Sequence, residues 1–100
     1  MLSNTNENPI QMMLPNLFSY FMKVGIVAQL REKTNESVAS AIGVSPYFAR
    51  DYIYAAQIFP LEKIYQNIDL IKEYDLKTKG LGSNFENEEL FKELIYKLTH

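Results

Sequence analysis

The chain has 100 residues, of which 47% are hydrophobic and 22% charged, and its formal net charge is −2. That length and balance fit one globular domain with an ordinary apolar core. The absence of cysteine excludes a disulfide framework and a thiolate metal site, and the acidic balance argues against a stand-alone nucleic-acid binder, which would carry a basic patch.

Residues 1–8 are polar and rich in Asn, and are expected to form a disordered or loosely ordered lead-in to a single helical domain spanning 9–100. The opening stretch has no basic segment followed by an apolar one, so it does not read as a signal peptide. No apolar run approaches the ~20 residues that cross a bilayer. These features predict a cytoplasmic protein without membrane contact.

Asn8 can cap a first helix, with Pro9 at its first position. Leu14, Leu17, Phe18, Phe21, Met22, Ile26 and Leu30 then recur at intervals of three and four, which predicts one long amphipathic helix from Ile10 to about Lys33. Pro15 lies early in it and is expected either to kink the helix or to move its start later. Asn35 is expected to cap a short second helix carrying Val38, Ala39, Ala41 and Ile42, which Gly43 stops. Ser45-Pro46 starts a third helix that runs to about Ile58, and Phe59-Pro60 forces a boundary. A fourth helix opens at Pro60, places Leu61, Ile64, Ile68 and Ile71 on one face with Tyr65 and Leu76 at its edges, and ends at Gly80. After the loop GLGSN, 80–84, a last helix is predicted over about 86–98, with Leu90, Phe91, Leu94, Ile95 and Leu98 on its apolar face. Glu86, Glu88 and Glu89 sit at its N-terminus, and Lys77 and Lys79 close the fourth helix, each at the end its charge favours. No segment alternates with period two. The expected class is therefore all-α, a bundle of about five helices.

The residues that carry chemistry are sparse. The sole histidine, His100, is the last residue and is expected to be a frayed tail, so neither a histidine metal site nor a serine–histidine pair is expected. GLGS lacks the preceding strand and the following Lys of a phosphate-binding loop. Glu73 and Asp75 stand two apart on a helix and face different sides, and are expected to be solvated or paired with Lys72, Lys77 or Lys79. No catalytic residue, metal or cofactor is expected, and the chain does not read as an enzyme.

The stretch SVASAIGVSPYFARDYIYAA, 37–56, has the rhythm of a helix-turn-helix. In a DNA reader the N-terminal residues of the second helix meet the bases. Here they include one basic residue, Arg50, beside Asp51, which supplies little of the phosphate neutralisation that drives such binding. DNA contact by these residues is thus not expected, although a helix-turn-helix domain of a small transcription regulator is the alternative reading. Tyr47, Phe48, Tyr52, Ile53, Tyr54, Ala55, Ala56, Ile58 and Phe59 spread around most of the third helix. Such a helix is either a central core helix or one that meets another subunit.

The segment 41–80 resembles the C-terminal domain of the delta subunit of the bacterial DNA polymerase III clamp loader. The resemblance is carried by Gly43-Val44, Pro46-Tyr47-Phe48, Asp51-Tyr52 and Ala55-Ala56, followed by Glu73-Tyr74-Asp75-Leu76-Lys77-Thr78-Lys79-Gly80. ELFKELIYKL, 89–98, is similar to that family's last helix, NLFSYFMKV fits its first helix more loosely, and Phe59-Pro60 replaces a small polar cap. The resemblance implies a non-catalytic collar domain, a fragment of a longer chain, that holds the loader together for clamp loading in processive DNA replication. It implies the motor and delta-prime subunits as partners. ATP would belong to other subunits of the holoenzyme, a DNA-directed DNA polymerase, and the sliding clamp would be touched by an N-terminal part not among these residues. Tyr47, Tyr54, Tyr65 and Tyr74 are the expected interface residues, since a tyrosine ring can bury one face while its hydroxyl stays wet.

Overall fold

The computed structural model describes residues 9–79 and 84–100. The protein is all-α: α1 (Pro9–Ala28), α2 (Asn35–Ile42), α3 (Pro46–Ile58), α4 (Leu61–Lys79) and α5 (Asn84–Thr99), with no strand among the described residues. The lead-in 1–8, the Asn8 cap and Gly80 with the loop that follows it, up to Ser83, lie outside the described residues. The chain packs as two units, one formed by Ser19–Gln66 and the other by the described residues up to Phe18 together with those from Asn67 to His100. Helices α1 and α4 each contribute to both.

In the first of these units the short helices start where side chains replace missing backbone partners. Thr34, not Asn35, is the N-cap of α2. Its Oγ1 accepts from the Ser37 N–H at 3.1 Å, and the Ser37 Oγ accepts from the Thr34 N–H at 3.2 Å. This reciprocal capping box satisfies two donors that a helix N-terminus leaves free. Helix α1 ends at Ala28 rather than near Lys33. The N–H groups of Gln29 and Leu30 bond three residues back, to Ile26 and Val27, and the Gln29 side chain covers the Gly25 carbonyl at 3.0 Å. The last turn thus tightens and closes before Arg31–Lys33, whose propensity alone would allow the helix to continue. At the start of α3, Ser45 Oγ accepts from the Tyr47 N–H at 3.2 Å, with Pro46 in the first turn.

Gly43 ends α2 with φ +72°, in the left-handed region, and its N–H bonds the Ala39 carbonyl at 2.9 Å. A Cβ built there meets nothing within 4 Å. The cost of a side chain is therefore backbone strain alone. Gly43→Ala should destabilise the chain by about 1 kcal/mol, and Gly43→Asn by less, as read by urea denaturation.

Between the helices, Val27, Val38, Ala39, Ile42 and Ala49 form a buried cluster on which Leu30, Val44, Tyr52, Ile53 and Ala56 pack. The alanines let α2 and α3 approach closely. Phe21 meets Phe59 edge-on at 5.4 Å, and Gly25 leaves room for Ile64, whose Cγ2 would lie 3.4 Å from an added Cβ.

In the second unit Ile10, Leu14, Ile71, Tyr74, Leu94 and Leu98 are buried. Helix α1 begins ahead of Pro15, which lies inside it, so the start is not shifted later. Gln11 Nε2 donates to the Thr78 carbonyl at 3.3 Å, and Asn67 Nδ2 donates to the Leu98 carbonyl at 3.1 Å near the end of α5. Lys77 pairs with Glu73 at 3.2 Å and Lys79 with Asp75 at 2.9 Å, each across one helical turn.

Tyr74 is fully buried, and its hydroxyl donates to Glu93 Oε1. Lys77 Nζ sits 4.6 Å and Lys97 Nζ 5.3 Å from the ring centroid. Burial, then the bond to Glu93, raises the Tyr74 hydroxyl above its ordinary pKa, while the same bond holds the Glu93 carboxyl below its own. The raised Tyr contributes stability that is present below the unfolded tyrosine pKa and lost as pH rises through the folded one. The lowered Glu contributes stability that is present above the unfolded glutamate pKa and lost as pH falls through the folded one. Wild type should therefore lose stability at both limits relative to the plateau between them. Tyr74→Phe should show a smaller loss at each limit, measured by chemical denaturation across pH.

Candidate interaction surface

Helix α3 buries only one side. Ala49 and Ala55 are its fully buried residues, and Tyr52, Ile53 and Ala56 are half-buried against the neighbouring helices. It is therefore not a central core helix. Its two fully buried residues are alanines, which permit tight packing, while Tyr47, Phe48, Tyr54 and Ile58 are left on the outer side.

Tyr47, Tyr54 and Ile58 are 76%, 64% and 55% exposed, and they occupy positions i, i+7 and i+11. That spacing aligns them on one helix face, with Asp51 at i+4 between them. Phe48 flanks the face, half exposed, its ring edge-on to Tyr47 at 5.1 Å. On α4, Leu61 and Tyr65 also remain exposed. Exposed aromatic side chains aligned on one helix face mark a candidate interaction site, since aromatic residues are enriched at interface cores.

Of the four tyrosines expected at an interface, Tyr47, Tyr54 and Tyr65 are exposed and Tyr74 is not. Tyr74 corrects the expectation. Its ring is enclosed within its own unit and its hydroxyl is taken by Glu93, so neither part is offered to another chain. Phe48 and Ile58, not singled out from the sequence, belong with the exposed tyrosines. The signal that could have found Ile58 is its spacing of four from Tyr54 on a helix whose inward positions are alanine.

The α3 face carries Arg50 and Asp51 as its charges. It gives a phosphate backbone a single cation beside an anion. A groove of about 290 Å³ elsewhere, lined by Leu14, Pro15, Phe18, Ile71, Lys72 and Asp75, has an apolar floor, and its Asp75 is already paired with Lys79. Among the described residues no group of three or more His, Asp or Glu side chains is placed to share a metal ion, and no helix is long and apolar enough to cross a membrane.

No family model, curated protein or solved structure matches this chain.

Proposed function

We propose that this chain is a non-catalytic assembly module, the collar domain of a delta-type subunit of the DNA polymerase III clamp loader, which joins the motor and delta-prime subunits through the outer face of α3. The observation that carries the reading is the exposed row of Tyr47, Tyr54 and Ile58, flanked by Phe48, on a helix that buries only alanines fully. The sequence resemblance over 41–80 includes the first two of these aromatics, Tyr47 and Phe48. Aromatic side chains of this kind anchor subunit interfaces because they desolvate a large area at small cost in rotamer entropy. In this role ATP hydrolysis and clamp contact lie with other parts of the loader, and this module supplies cohesion.

The helix-turn-helix shape of α2, Gly43 and α3 supports a second reading, a DNA-binding domain of a small transcription regulator. The two readings separate in one binding experiment. The chain is immobilised, and the same organism's motor and delta-prime subunits and a duplex DNA are passed over it in turn at increasing salt. The assembly reading expects retention of the subunits with weak salt dependence. Saturable duplex binding that falls steeply with salt, without subunit retention, would replace it with the second reading.

A further inference from the structure

We infer that the outer face of α3 is also self-complementary, and that the chain forms a weak two-fold homodimer by pairing two copies of α3 antiparallel. Tyr47, Asp51, Tyr54 and Ile58 form a single row at i, i+4, i+7 and i+11. The middle of this row carries Asp51, with the opposite charge of Arg50 beside it, one position off the row. Both side chains are exposed, and among the described residues neither forms an ion pair. A carboxylate in the centre of an apolar face needs a cation opposite it when water is removed. A second copy brings one.

A two-fold axis through the midpoint of the row sets Tyr47 against Ile58 of the second copy and Asp51 against its Tyr54. Arg50, one position off the row, then lies about one helical turn (~5.4 Å) from the other Asp51, within reach of its long side chain. The antiparallel sense inverts the order of the charges, so each meets its opposite. Parallel alignment would set like against like. This is the pattern of an isologous interface, in which one patch complements itself.

The area fixes the strength. Taking about 200 Å² for a fully exposed aromatic ring, the exposed parts of Tyr47, Phe48, Tyr54 and Ile58 offer on the order of 500 Å² per copy. A pair thus buries about 1,000 Å², the lower edge of specific interfaces. The dimer dissociates in the range of roughly 10 μM to 1 mM, weak enough to yield to a larger partner on the same face. The inference does not rest on the assembly reading, because its test contains only this chain.

The test is sedimentation equilibrium of the chain alone, from about 10 μM to about 1 mM. Wild type should shift from monomer to dimer across this range. Arg50→Glu leaves two acids on the face and Asp51→Arg two bases, and each should weaken self-association at least about tenfold. An equimolar mixture of these two variants should associate more tightly than either alone. The double variant carrying both changes keeps the pair in reverse order and should recover wild-type association. A wild-type chain that stays monomeric throughout overturns the inference. So does a dimer whose strength is the same in both single variants, or a mixture no tighter than its components.

Discussion

Tyr74→Ala should destabilise the chain by about 3–5 kcal/mol, with the thermal midpoint in far-UV circular dichroism falling by roughly 15 °C or more. The size follows from placement. The Tyr74 ring is fully buried, two lysine side chains cover it, and its hydroxyl bonds Glu93 on α5. Truncation removes the transfer free energy of the ring and leaves a cavity that its neighbours only partly fill. It also strips Glu93 of its donor. A total stability of 5–15 kcal/mol is typical of a domain of this size, so the variant stands near the edge of folding. Tyr74→Phe keeps the ring and should cost only about 1 kcal/mol. A Tyr74→Ala chain that melts within a few degrees of wild type would place this residue at the surface and return it to the candidate interface.

The double variant Tyr47→Ala, Tyr54→Ala should do the reverse. Both rings are mostly exposed in the chain by itself, so their loss should change stability by no more than about 0.5 kcal/mol. In assembly with the motor and delta-prime subunits, aromatic anchors at the centre of an interface commonly carry about 2 kcal/mol or more each, and the affinity should fall at least ~30-fold. Folding and assembly are thereby separated in one molecule. Undiminished assembly of a well-folded double variant would move the interface off α3.

Much of the fold was legible in the sequence because its punctuation is chemical. Ser45-Pro46, Phe59-Pro60 and Gly43 each permit only one kind of local backbone, and the structure places helix ends at all three. The end of α1 was not legible. Arg31, Glu32 and Lys33 are good helix formers, and what closes the helix earlier is a tightened last turn and the capping demand of Thr34 on Ser37. The site was legible in part. The apolar residues spread around α3 are legible in the sequence, but a tyrosine suits a core edge as well as an interface. The burial of Tyr74 is not legible, because the row it joins, Asn67, Ile71, Tyr74 and Thr78, includes two polar residues. An apolar-only search for periodicity passes over them. Asn67 Nδ2 and Thr78 Oγ1 donate to the carbonyls of Leu98 and Asp75, which offsets part of the cost of burying them, while Asn67 Oδ1 is buried without a hydrogen-bond partner.

The proposed role is tested most directly by sedimentation velocity of this chain mixed with the same organism's motor and delta-prime subunits, without native delta. The chain should leave its slow boundary and co-sediment in a complex larger than the motor and delta-prime subunits form without it. A chain that keeps its own sedimentation coefficient at saturating subunit concentrations would contradict the assembly role.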